Sequence, residues 1–376
     1  MRVLAMSRIA AVGVICAAVF LGGCAEAARK APVLPVSVVG TRDGAAYKID
    51  IPANWNHELI VYYHGYSHKP VAYEQGKPNW PVLDALLAKG YAMIRSGYSS
   101  GGWAVEQAYV ETEILRRDFI ASYGRPTRSW VIGESMGGAL TALTIETRPE
   151  IYDGALALCG AIEPTNRIMT RAFAMRAAFD YYFPDLLGPL VPVPDTLPDY
   201  DTMKKRVVAA LDAKPAAREA LLRLYGAASA QSFPDIVAFV TQVLRELQRR
   251  THGNPFGNAD MIYMGSGDDF ALNDGVKRYR ADAQAAAYLA RWYTPTGKLL
   301  RPLLALHTTA DPLVPSADAF EYALIAERAG HSANFVQQYI NSEGHCVFKP
   351  DEVARAFDEL VDWVNEGKRP VSGRLP

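Results

Sequence analysis

The 376-residue sequence predicts an α/β protein: a mostly parallel sheet covered by helices on both faces, with a large helical insertion. Three observations carry this. Short apolar runs alternate with segments of helical period along most of the chain, the pattern of strands joined by crossover helices. One such run, Trp130-Val131-Ile132, passes straight into Gly133-Glu134-Ser135-Met136-Gly137-Gly138 and then into the small, helix-compatible residues 139–143. A strand there turns abruptly into a helix with a serine at the apex. Finally, about 140 residues separate the run ending near Cys159 from the one starting at Leu303, far more than a crossover needs.

Taken in order, residues 36–51 alternate around Gly40-Thr41-Arg42-Asp43-Gly44 and read as a hairpin. A strand at 59–63, a helix near 80–89 and a strand at 91–94 follow. Val105, Tyr109, Thr112, Leu115 and Phe119 recur at helical spacing, which predicts an amphipathic helix over 104–122. Strands at 129–132 and 151–159 flank the helix that starts at the serine. Within the insertion, Pro215 opens a helix over 216–224. Ile236, Val240, Val243, Leu244 and Leu247 form a helical stripe, and 282–293 is a third helix returning to the core. Pro184, Pro189, Pro192, Pro194 and Pro198 mark a stiff, extended connection. Strands at 303–307 and 334–340 and a helix over 351–365 complete the pattern. The expected organisation is a core over 36–160 and 301–370, with a helical cap over 161–300 hanging above the carboxyl ends of the strands.

The glycines two residues either side of Ser135 suit so sharp a turn, because side chains there would collide as the chain reverses. The motif alone is a weak signal, since a capping serine in an ordinary strand–helix turn looks the same. A serine nucleophile needs a base, and the base an orienting acid. Asp311 stands just past the apolar run 303–307, in Thr309-Ala310-Asp311-Pro312, where the bland use is a turn before proline. His345 stands in Glu343-Gly344-His345-Cys346 after the last strand, on a loop that would let an imidazole reach back. Six other histidines compete: His64 belongs to another motif, His307 lies in or at the end of a strand, and His57, His68, His252 and His331 follow no late strand. The apolar run 59–63 ends in His64-Gly65-Tyr66, a loop placed to give one backbone N–H to an oxyanion. Tyr66 is the expected donor there, with Gly65 as the alternative, and Met136 after the serine is the second.

These four pieces, in this order, resemble the α/β-hydrolase superfamily over residues 36–366. The resemblance implies an α/β-hydrolase fold with the cap inserted after the sixth strand, Ser135 as nucleophile, Asp311 as acid, His345 as base, and no metal or organic cofactor. The lone His64-Gly65-Tyr66 departs from the glycine-rich hole of the hormone-sensitive-lipase-like branch. General esterases, lipases and prolyl-oligopeptidase-like hydrolases fit better. Trp103, on the Gly101-Gly102-Trp103 loop, is the best pocket candidate; Tyr181 and Tyr263 in the cap are others, along with Tyr182, Phe183 and Phe256, although such cap aromatics more often form the cap's own core. Asn273-Asp274-Gly275 beside Asp268 and Asp269 misses the spacing of an EF-hand, and a helix cap explains it better than calcium.

Residues 1–23 carry Arg2, Arg8 and an apolar core from Ile9 to Leu21, and Leu21-Gly22-Gly23-Cys24 resembles a bacterial lipobox. That resemblance implies export, lipid attachment at Cys24 and a linker over 24–35. An ordinary secretory signal cut near 25–28 and a retained anchor are the rivals. Of four cysteines, Cys159 and Cys346 would remain beside Cys24 after loss of Cys16, and an oxidising compartment permits a disulfide between them. A net charge of −1 without a basic tract gives no sign of nucleic acid, and half the residues are hydrophobic, enough for a large core. The expected function is an exported serine hydrolase acting on a small-molecule or polymer-fragment ester, tied to a membrane only by its lipid. The same residues would serve a peptidase or amidase, or a C–C bond hydrolase; a non-catalytic lipoprotein scaffold is the reading of a different class.

Overall fold

A computed structural model describes residues 33–226 and 229–375. The signal expected over 1–23, with Cys16, then Cys24 and the expected linker up to Pro32, lie outside the described residues. The chain opens with a hairpin of β1 (Val36–Arg42) and β2 (Ala45–Ile51), paired antiparallel in register Arg42 with Ala45. Asp43 and Gly44 make the turn, both at positive φ (50° and 87°), as a tight hairpin requires.

Seven more strands follow: β3 (Leu59–Tyr63), β4 (Ala92–Ser96), β5 (Ser129–Glu134), β6 (Gly154–Leu158), β7 (Leu303–Ala310), β8 (Phe335–Glu343) and the short β9 (Gly373–Arg374). They form one sheet in the order β1-β2-β4-β3-β5-β6-β7-β8-β9. Only β1 with β2 and β2 with β4 pair antiparallel; every other neighbour is parallel. This order and these directions are those of the α/β-hydrolase fold.

Side chains on a strand alternate between faces, so a strand buried on both sides must be apolar throughout. In β3, Leu59, Val61 and Tyr63 enter one core while Ile60 and Tyr62 enter the other. The first face is covered by α2 (Val105–Tyr123), α3 (Met136–Thr147) and α10 (Ser316–Arg328), through Leu115, Leu140 and Tyr322 among others. The second face is covered by α1 (Pro81–Ala88) and α11 (Pro350–Glu366), through Leu83, Leu86, Phe357 and Leu360. Both of these helices begin at a proline, whose missing N–H costs nothing in a first turn. Phe357 sets its ring edge-on to Trp130 at 5.5 Å and to Tyr91 at 5.0 Å.

Between β6 and β7 stand α4 (Thr165–Tyr182), α5 (Tyr200–Ala213), α6 (Pro215–Tyr225), α7 (Phe233–Arg250), α8 (Asp269–Gly275) and α9 (Ala283–Trp292). The proline-marked connection is irregular as expected, but helices α4 and α5 on either side of it have no counterpart in the sequence reading. The apolar core of the first sheet face continues into this cap, through Phe173 of α4 and Leu244 of α7. Asp268 caps α8 by accepting the Ala271 N–H at 3.1 Å, and Asp269 accepts the Gly265 and Ser266 N–H groups. Both carboxylates thus serve the helix start. Strands β7 and β8 run three residues past their apolar stretches, because Thr308 and Ala310 keep pairing with Ile340 and Glu343 across a register shift. Among the described residues no helix is long and apolar enough to cross a membrane.

Phe357 is fully buried and joins α11 to β5 and to the start of β4, so its truncation tests the second face. Phe357→Ala is expected to lower unfolding free energy by about 4 kcal/mol, read as a fall in urea midpoint at unchanged slope.

Candidate active site

The turn from β5 into α3 holds Ser135 at φ 54°, ψ −119°, a conformation that L-residues adopt only when their surroundings enforce it. Its N–H donates to Leu158 O at 2.9 Å, and its carbonyl accepts from Gly138 at 2.9 Å and Ala161 at 3.1 Å. The flanking glycines are there for contact. A Cβ on Gly133 would overlap the Gly137 carbonyl, one on Gly137 the Tyr63 carbonyl, and one on Gly138 the Cα of Gly160. Ser135 stands at the cap position of α3, yet its hydroxyl makes no capping bond. Oγ lies instead 2.8 Å from His345 Nε2.

His345 Nδ1 lies 2.7 Å from Asp311 Oδ2. The carboxylate is buried, and its other oxygen accepts the Leu313 and Val314 N–H groups, each at 2.9 Å. Since Asp311 takes the Nδ1 proton, Nε2 of a neutral ring is left as the acceptor facing the serine. Three segments that are distant in the chain therefore meet at the carboxyl ends of β5, β7 and β8. The register shift in β7 falls immediately before Asp311 and helps aim it.

His307, read from sequence as a strand residue, turns out to brace this acid. It is buried, donates from Nε2 to the Val314 carbonyl at 2.7 Å, and brings that nitrogen to 3.5 Å from Asp311 Oδ2. Burial pushes the Asp311 carboxyl up, but the hydrogen bonds from His307, His345 and the Val314 N–H outweigh it and hold the pKa at about 2. The histidine loop is tied down too. Gly344, at φ 115°, donates to Ala310 O at 2.9 Å, and its carbonyl accepts from Thr308 Oγ1 at 2.7 Å. Cys346 forms a disulfide with Cys159 at the end of β6, with Cα atoms 5.3 Å apart. A bond between positions 187 residues apart removes considerable freedom from the unfolded chain, about 2–4 kcal/mol in typical cases.

On the other side of the serine is the β3 loop. A Cβ on Gly65 would stand 3.2 Å from the Ser135 Cβ, so this backbone passes directly beside the hydroxyl-bearing carbon. Tyr66 is the next residue, and Met136 is the first residue of α3, where an N–H has no intrahelical acceptor. His64 is engaged by its own loop and by Tyr98. Its ring stacks on Tyr98 at 3.9 Å, Nδ1 donates to Gly65 O at 2.6 Å, and burial drives its pKa down to about 4. Glu134, beside Ser135, carries a shift that the sequence alone does not reveal. Burial raises its pKa, partly opposed by the Tyr62 hydroxyl, the charge of His345 and the Gly65 N–H.

Ser135 opens into a cavity of about 380 Å³ between the sheet edge and the cap. Its walls are Ile168, Met169, Ala172 and Met175 of α4, Leu224 and Tyr225 of α6, Ile236, Phe239, Val240, Val243 and Leu244 of α7, and Pro312 to Pro315 beside the acid. Tyr66 and Trp103 join this lining. Tyr181 and Tyr263 do not, and the expectation for them is corrected. Tyr263 is buried inside the cap, its hydroxyl bonded to Asn258 and to the Ala174 carbonyl, and Tyr181 packs edge-on to Tyr182 and against Gly275. They face cap helices, which sequence spacing could not distinguish from facing the serine. Trp103 is held by the cap itself: its N–H donates to Glu246 of α7 at 3.0 Å, and Glu246 pairs with Arg250 at 2.6 Å, which in turn donates to Gly101 O at 2.7 Å. The i,i+4 spacing of Glu246 and Arg250 is local to α7; their reach to the Gly101–Trp103 loop is not.

Residues 41–189, which include Tyr66, Trp103, Ser135 and Cys159, match a tannase-like family of unknown function (DUF6351). No curated protein matches the chain. Similar solved structures include an esterase/lipase from an uncultured bacterium, at 12% identity and TM-score 0.46 over 89% of this chain and 87% of that one. Feruloyl esterase B from Aspergillus oryzae is similar at 13% identity and TM-score 0.46 over 89% and 80%, and an esterase from Pyrococcus furiosus at 15% and 0.45 over 88% and 90%. At these values the fold of the chain stands on its own strand order and directions.

Because the folded pKa of Asp311 lies below its ordinary 3.8, the bonds it accepts stabilise the fold fully above about pH 4 and progressively less as pH falls toward 2, a contribution of about 2 kcal/mol. The unfolding free-energy gap between the wild type and Asp311→Asn is therefore expected to shrink by that amount between pH 5 and pH 2, as read by urea titration.

Proposed function

We propose, on the premise that this chain has the α/β-hydrolase fold, that it is a serine hydrolase of carboxylic esters in which Ser135 is the nucleophile, His345 the base and Asp311 the acid. The observation that carries this reading is the pair of hydrogen bonds running from Ser135 Oγ through the His345 ring to Asp311, 2.8 and 2.7 Å long. The apolar cavity at the serine and the tannase-like likeness over the segment that holds it both accord with an ester substrate.

Ser135 Oγ attacks the ester carbonyl while its proton passes to His345 Nε2. The imidazolium keeps its Nδ1–H on Asp311, whose buried negative charge balances it. The carbonyl oxygen, now anionic, takes N–H bonds from Met136 and Tyr66, each of which contributes about 3 kcal/mol to the transition state. Collapse of the tetrahedral species breaks the bond to the alcohol, which leaves with the proton from His345. Water then gives its proton to the same nitrogen, attacks the acyl-enzyme, and frees the acid and the serine.

A fluorophosphonate probe is expected to label the wild type and not Ser135→Ala, with kcat/KM on 4-nitrophenyl esters falling at least about 10⁴-fold in the variant. Labelling of both proteins, or of neither, would sink the nucleophile assignment. Peptide anilides cleaved faster than esters would move the enzyme to the amidase class.

The proposed location is the outside of a bacterial membrane, reached by export and held by lipid on Cys24, as the lipobox resemblance at Leu21-Gly22-Gly23-Cys24 suggests. Cells expressing the full chain and fed labelled palmitate should yield a labelled band that Cys24→Ser abolishes; equal labelling of the two would rule the anchor out.

A further inference from the structure

Two spaces of opposite character meet at Tyr66. On one side is the apolar cavity at Ser135; on the other is an open groove of about 620 Å³, and Tyr66 lines both. The wall between them is aromatic. The Tyr66 ring stands edge-on to Phe239 of α7 and to His68, each at 5.3 Å.

The groove is cationic. Lys69, Arg245, Arg249 and Arg250 line it against the single carboxylate of Glu246. Arg250 is already bound to that carboxylate, and Arg249 lies 3.6 Å from Asp195. Lys69 and Arg245 differ. Among the described residues neither has a carboxylate within 4.0 Å, and Arg245 donates only to the Asp195 backbone carbonyl, at 3.1 Å. Arg245 is half-buried on α7, so its charge is partly shielded from water, and that charge adds to burial in depressing the pKa of His68. Among the described residues the one cation lining the apolar cavity, Arg171, is answered by the buried Glu163 at 3.6 Å. The unbalanced positive charge near the serine is therefore on the groove side of Tyr66.

We propose that the substrate is an ester with an apolar arm and an arm ending in a carboxylate, the first filling the cavity and the second held by Lys69 and Arg245. This rests on the serine hydrolase reading and adds the substrate class to it. A planar guanidinium matches a carboxylate with two parallel N–H bonds, and a half-buried one does so with less screening. On the scale at which a 150 Å³ apolar cavity holds benzene, the cavity at Ser135 has room for about fifteen heavy atoms. Half-esters of diacids and acylated hydroxy acids have this form.

The test is a matched pair of chromogenic esters, 2-nitrophenyl octanoate and 3-nitro-4-octanoyloxybenzoate, which differ by one carboxylate on the leaving phenol. The wild type should favour the carboxylate ester about tenfold in kcat/KM, the size of one charge-assisted hydrogen bond, mainly through KM. The ratio should fall to near one in Lys69→Ala/Arg245→Gln, drop below one in Arg245→Glu, and shrink in the wild type at 0.5 M salt. Retained fluorophosphonate labelling shows that the variants are folded, and the salt arm needs no variant at all. Turnover of the neutral ester with no wild-type preference, or a preference that survives both salt and substitution, overturns the inference alone. Turnover of neither ester overturns the hydrolase reading and the inference with it.

Discussion

The turn at Ser135 depends on three Cα atoms that lack a Cβ. Gly133, Gly137 and Gly138 bring the end of β5 and the start of α3 against the Tyr63 carbonyl and Gly160, closer than any side chain would allow. That approach supplies the backbone bonds, to the Leu158 carbonyl and from the Gly138 and Ala161 N–H groups, that hold the serine at positive φ, a conformation costing on the order of 1–3 kcal/mol. The cost is offset by burial of α3, whose Ala139, Leu140, Ala142 and Ile145 are wholly enclosed. Because the backbone is fixed this way, the hydroxyl is spared for His345 rather than spent on the helix end.

The other groups are positioned by the ends of the neighbouring strands, each by its own device. A register shift in β7 precedes Asp311, the Thr308 hydroxyl holds Gly344, and a disulfide fastens Cys346 to the end of β6. His307 braces the Val314 carbonyl while the Val314 N–H serves the acid, so a single turn is held from both sides. Asp311 and His345 thus sit on loops whose movement would break several bonds at once.

The cap does more than cover the serine. Glu246 and Arg250 on α7 grip the Gly101–Trp103 loop, so the same helix supplies the cavity's apolar wall, fixes Trp103 and presents Arg245 to the groove. Along α7 the apolar residues face the cavity and the cap core, while the basic ones face outward past Tyr66. One amphipathic helix of the cap therefore lines the apolar cavity with one set of residues and the cationic groove with another.

Ser135, Asp311 and His345 were legible because each follows a short apolar run and each loop carries its own marker: glycines for tight contact, Asp-Pro, and Gly-His. Those requirements are local, and local chemistry is written in adjacent residues. The hairpin turn at Asp43-Gly44 and the proline-opened helices were legible for the same reason. Tyr181 and Tyr263 were misplaced because which neighbour a cap helix turns its aromatic face toward depends on packing between segments far apart in the chain. The support from His307, the grip of Glu246 on a core loop and the charge that Arg245 brings to the groove share that origin. Which residue types stand at the strand ends is written along the chain; which of them meet is fixed by folding, because a hydrogen bond or an ion pair is settled by distance in space rather than by position in the sequence.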